Sequence, residues 1–130
     1  MASPAYLARR ARPETPEDLK EHACIDLPDP LTGRPFVWEF HRRGEILRVS
    51  ANSRLLVGDV GTMITECLAG TGIAQVITIG AKEYLDTGQL VDLFPDWPDE
   101  RFPLYAFYPS RRQPPAKVRA FVDFALHAVR

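Results

Sequence analysis

Asn52-Ser53-Arg54 is the group of side chains here best suited to recognising a small molecule, a polar tripeptide between the end of one expected strand and the start of a helix. Helix amino termini carry unpaired amides and partial positive charge, and arginine forms bidentate pairs with carboxylates. Arg54, with the helix amides near Asp59, therefore predicts non-covalent binding of an anion. Asn52 and Ser53 have a second reading as turn caps. Ser3, directly before Pro4, reads as the N-cap of a short helix.

The other candidates for chemistry do not assemble into a reaction centre. No serine lies in a GxSxG context, and Cys24 and Cys67 have neither CxxC nor Cys/His ligand spacing. Both cysteines read as reduced, buried small hydrophobes. His22, His41 and His127 fall on separate elements, with no cysteine or carboxylate at metal-ligand spacing. Gly70-x-Gly72 follows a helix and precedes a strand, the reverse of a dinucleotide fingerprint, so these glycines serve backbone geometry. The expectation is a chain without catalytic residues, metal ligands or a cofactor.

The elements that hold these residues follow from pattern. Pro4 opens a helix over 4–10, and Thr15-Pro16-Glu17-Asp18 starts one or two further helical turns. His22 to Leu27 reads as a strand. Breakers from Pro28 to Pro35 make a turn, after which Phe36 to His41 and Ile46 to Ser50 form a hairpin around Arg43-Gly44, with Phe36, Trp38 and Phe40 on one face. Asn52 to Leu56 leads into a helix over 59–69, with Met63, Ile64, Cys67 and Leu68 at helical spacing and Gly70 as C-cap. A buried strand at 73–77, a helix at 81–85 and a strand at 89–94 complete an alternating α/β unit. A loop at 95–100 precedes a strand at 104–108 and a last helix striped by Val118, Phe121, Val122, Ala125 and Leu126. Trp38 is expected to anchor the core and Trp97 the loop.

At 130 residues, 45% of them hydrophobic, the chain suits one globular domain that buries roughly two-thirds of its unfolded surface. A net charge of -1 excludes the electrostatic footprint of a nucleic-acid-binding module, and the clusters at Arg9-Arg10, His41-Arg42-Arg43 and Arg111-Arg112 read as solvated faces. No apolar run approaches the ~18–20 residues of a membrane span, which makes a cytoplasmic location the expectation.

Taken in order, Ala2-Ser3-Pro4-Ala5-Tyr6-Leu7, Thr15 to Leu19, His22 to Ile25, Trp38-Glu39-Phe40, Leu68 to Ala74, Gly88 to Val91 and Phe121 to Phe124 resemble the effector-binding domain of a LysR-type transcriptional regulator. The resemblance covers nearly the whole chain but only the later part of that domain. It implies a type 2 periplasmic-binding-protein-like α/β fold, a mixed sheet with flanking helices, in which two lobes enclose an effector. Residues 15–95 would be the second lobe, 103–130 would return to the first, and the first residues would end a crossover. A helix and strand returning without the first lobe would lack their native partners.

By the same resemblance Ser3 lies at the floor of the cleft, and Asn52, Ser53 and Arg54 offer groups to the effector, a small carboxylate or aromatic molecule. The helix at 59–69 would form a homo-oligomer surface on which Met63 or Thr65 contributes. DNA would be contacted by a winged helix-turn-helix outside this chain, and no membrane would be involved. One departure is Gln75-Val76-Ile77-Thr78, where the family commonly has leucine-proline; another is the polar set Thr62, Thr65 and Thr71. The rival readings are a solute-binding protein and a small enzyme on the same scaffold.

Overall fold

The computed structural model describes residues 1–102, 105 and 115–128. Helix α1 (Pro4–Arg9) begins where proline costs no hydrogen bond, and the Ser3 hydroxyl accepts from the Tyr6 amide at 3.3 Å. A 3-10 segment, Pro16–Glu21, follows; the Asp18 carboxylate accepts from the amides of Glu14 and Thr15, both at 2.9 Å.

Three parallel strands form the central sheet in the order β4 (Ser53–Leu56), β1 (Cys24–Asp26), β5 (Ile73–Ala74). Alternation along a strand sends neighbouring side chains to opposite faces. Cys24 and Ile73 enter a cluster with Tyr6, Leu19, Trp38, Phe40 and Val49, whereas Ile25 and Ala74 enter a second with Met63, Cys67, Ala81 and Leu90. The sheet is thus covered on both sides, which is why Cys24, Ile25 and Asp26 are all buried.

The first face is covered by the antiparallel hairpin β2 (Trp38–Arg42) and β3 (Glu45–Val49). Its two-residue turn places Arg43 at φ 49° and Gly44 at φ 78°, the pair of positive angles that matches strand twist. Trp38 and Phe40 point inward as expected, but Phe36 precedes the strand and is half exposed. The second face is covered by α2 (Val60–Leu68) and α3 (Thr78–Asp86).

The α2-to-β5 junction carries the tightest geometry. Gly70, at φ 81°, follows the helix, its amide bonds the Cys67 carbonyl at 3.1 Å and the Thr71 amide bonds the Glu66 carbonyl at 3.0 Å, a complete Schellman closure. A Cβ on Gly72 would lie 2.6 Å from the Ala23 carbonyl oxygen, so only glycine lets β5 approach β1 here. Both glycines serve geometry.

Three expectations change. The strand at 73–77 is two residues long, and Ile77 and Ile79, exposed, belong to the start of α3, which opens at Thr78 rather than Ala81. The β-branched run 76–79 carries strand propensity, but β1 supplies pairing for only Ile73 and Ala74. Residues 89–94 form no strand; Val91 makes one antiparallel bridge with Ala2, and Leu90 and Leu93 are both buried, a spacing of three that breaks strand alternation. The expected strand at 104–108 lies outside the described residues. The last helix, α4 (Ala116–Ala128), is present but buries none of its side chains, with Phe121, Phe124 and Leu126 exposed.

Candidate functional site

Of the four residues singled out from sequence, Asn52, Ser53 and Arg54 lie at the start of β4 and Ser3 at the start of α1. Ser3 is buried and caps α1. The Asn52 carbonyl accepts from the Cys24 amide at 3.0 Å, fastening the amino-terminal end of β4 to β1. The Ser53 hydroxyl donates to the buried Asp26 carboxylate, whose other oxygen accepts from the Trp38 indole at 2.8 Å. Arg54 is exposed on β4, an edge strand of the sheet. One of the helix amides near Asp59 is already taken, because the Asp59 carboxylate accepts from the Thr62 amide and hydroxyl, each at 2.8 Å. Those contacts hold the Asp59 carboxyl below its usual pKa, the Thr62 amide first among them.

A cavity of about 480 Å³ opens instead beside β5 and the segment leaving its carboxyl end. Its walls include Trp38 and Phe40 of β2, Ile73 to Thr78, Met1 and Asp92 flanking the Ala2–Val91 bridge, and Phe94, Trp97, Glu100 and Arg101. Phe40 lies edge-on to Phe94 and to Trp97, with centroids 5.3 and 6.4 Å apart, so the aromatic wall is interlocked. The Arg42 guanidinium sits 4.0 Å over the Trp97 ring and braces it from outside. Gln75 donates to the Glu39 carbonyl at 2.8 Å, tying the cavity wall to the hairpin.

Unlike α1 and α2, α3 has no side-chain cap, and Ile77 and Thr78 at its amino end line the cavity. The Gly80 amide turns back onto the Ile77 carbonyl at 3.0 Å, and among the described residues no side chain serves the other amides of the first turn. Carboxyl ends of parallel strands are where open α/β sheets bind ligands.

Two polar groups went unread in the sequence. Tyr6 and His22 form a buried hydrogen bond, Tyr6 Oη to His22 Nδ1 at 2.8 Å; burial pushes the His22 pKa down and the Tyr6 pKa up. On the outer face of β2, Glu39 Oε2 lies 3.0 Å from His41 Nε2, while Arg48 Nε donates to Glu39 Oε1 at 3.0 Å. Glu100 approaches the same place, its pKa raised by burial. The signal was Glu39-x-His41 on a strand, where a spacing of two means one face. Burial also pushes the Cys24 thiol up to about 12 and raises Cys67, so neither is an activated nucleophile.

A parallel sheet covered on both faces, with an aromatic-walled cavity at a strand's carboxyl end, defines an α/β ligand-binding domain. The chain belongs to the LysR substrate-binding domain family, whose model matches residues 1–130. It is 35% identical to the uncharacterised HTH-type transcriptional regulator YcaN of Escherichia coli K12 over 95% of this chain and 39% of that protein. It is similar to the regulatory domain of AphB from Vibrio vulnificus, with a TM-score of 0.71 and 27% identity over 98% of this chain and 62% of that one. The regulatory domain of CrgA from Neisseria meningitidis shares the fold at a TM-score of 0.80 and 23% identity, covering 98% and 61% of the two chains. The chain thus spans about two-fifths of the length of the curated relatives it matches. Among the described residues, no helix is long and apolar enough to cross a membrane.

Proposed function

We propose that this chain is the effector-sensing part of a cytoplasmic transcriptional regulator, without catalysis of its own, acting on DNA through a helix-turn-helix domain outside the chain. The cavity beside β5 carries the reading. Its aromatic wall suits a small planar molecule, and the uncapped α3 amides with Arg101 suit a carboxylate on it. An effector that binds one lobe arrangement better shifts the population toward it, and that shift would be passed to the attached DNA-binding domain. Residues 15–95 would then be the second lobe, and α4, which buries nothing, would return to the first.

A thermal-shift screen of small carboxylates and aromatic acids, with benzoate as the first probe, tests the site. Trp97→Ala should abolish any shift while Arg54→Ala preserves it. The reverse pattern would place the contact on Asn52, Ser53 and Arg54, for which the exposure of Arg54 speaks.

Self-association is proposed to use the outer face of α2, where Val60 and Thr65 are exposed. Met63 is buried in the core and drops out of that surface. Thr65→Arg should lower the sedimentation coefficient at fixed concentration; an unchanged coefficient would remove α2 from the interface.

A further inference from the structure

We propose that Glu39, His41 and Glu100 form a binding site for a divalent transition-metal ion, Zn²⁺ by donor chemistry, at the rim of the cavity. One ligand atom from each lies within 4.8 Å of the others. The set is mixed, one imidazole and two carboxylates, which suits zinc better than the all-oxygen shells of magnesium or calcium.

The local structure holds the three in place from two directions. Glu39 and His41 share the outer face of β2 because they stand two positions apart along the strand, while Trp38 and Phe40 anchor the inner face. The Asp99 amide donates to the His41 carbonyl at 3.0 Å and the Arg43 amide to the Asp99 carboxylate at 2.7 Å, which pins the loop and sets Glu100 beside the strand. Arg48 occupies Glu39 Oε1 and leaves Oε2 toward His41, the division of labour by which an outer group orients a metal-binding carboxylate.

Distances agree with the assignment. Tetrahedral zinc bonds of ~2.0–2.2 Å to N and O place two adjacent ligand atoms roughly 3.3–3.6 Å apart; Glu39 Oε2 and His41 Nε2, now joined by a 3.0 Å hydrogen bond, need to part by only a few tenths of an ångström for the ion to replace the shared proton. Glu100 makes no hydrogen bond or ion pair among the described residues. It is also a half-buried carboxylate close to the negative charge of Glu39, an arrangement that a cation relieves. Three protein ligands leave a coordination position open, and Glu100 itself lines the cavity, so that position is within reach of a molecule bound there.

Isothermal titration of the chelator-treated chain with ZnCl₂ tests the site, whether or not the cavity holds an effector. One equivalent should bind, and both His41→Ala and Glu100→Gln should weaken it at least tenfold. Glu100→Gln keeps the shape of the side chain and removes only its charge, so it serves as the variant that separates metal binding from folding; His127→Ala, on α4, should change nothing. Absence of binding by the unmodified chain, binding unaffected by Glu100→Gln, or equal affinity for Mg²⁺ would each overturn the assignment.

Discussion

Asp26 shows at the scale of one residue how the sequence builds the wall of the site. Its carboxylate is buried, a position that is tolerable only when the charge is hydrogen-bonded. The Ser53 hydroxyl and the Trp38 indole both donate to it, so a residue of β4 and a cavity-lining residue of β2 are held by one acceptor on β1. Trp38→Phe keeps a six-membered aromatic ring but removes the indole donor from a buried carboxylate together with the pyrrole part of the bicycle, and should cost at least about 1–3 kcal/mol by urea denaturation. A loss of only a few tenths would mean that Ser53 alone satisfies Asp26. Ser53 was legible in the sequence as a polar residue with a purpose, but its partner lies 27 positions away and no local pattern reveals it.

His22 adds a pH dependence. Burial lowers its pKa in the folded state, so between that value and the ordinary ~6.5 the unfolded chain binds the proton more readily. Stability due to this group is present above about pH 6.5 and is lost as the pH falls through it. Urea midpoints should decline from pH 7.5 to 5.5, and less steeply in His22→Asn, which keeps a nitrogen near Tyr6. Parallel declines in the two proteins would show that other groups titrate instead.

At the scale of elements, ends were more legible than lengths. Ser3-Pro4, Thr15-Pro16 and the Gly70 closure mark their boundaries by local chemistry, and the structure places each there. Strand lengths depend on partners, and β1 offers β5 only two residues; the apolar run beyond Ala74 therefore turns into α3. That misread boundary also hid the site, since the uncapped amino end of α3 falls inside what reads as a strand. Gly72 fixes the junction, and Gly72→Ala should cost about 1–3 kcal/mol because its methyl meets backbone rather than a mobile side chain. Retention of full stability would show that β5 can move away from β1 without penalty.

At the scale of the whole molecule, two apolar clusters on either face of a three-stranded sheet make a self-consistent core, and α4 stands outside that economy with its aromatic residues exposed. The α/β class was legible because alternating helices and strands leave a periodic record. The cavity was not, because its wall is assembled from β2, the Gln75 to Thr78 segment and the 92–101 stretch, which meet only in the folded chain. A run of polar residues such as Asn52 to Arg54 is visible in sequence; an aromatic wall assembled from distant segments is not.

The central claim is that this aromatic-walled cavity binds the ligand of a LysR substrate-binding domain. A ¹H–¹⁵N correlation spectrum recorded through a titration with a hit from the acid panel tests it most directly, because Trp38 and Gln75 carry side-chain N–H groups on residues that line the cavity. Saturable shifts of the Trp38 indole and Gln75 amide signals, together with the Thr78 backbone amide, are the expected result. Shifts confined to Asn52, Ser53 and Arg54, with the Trp38 and Gln75 signals unmoved, would contradict it.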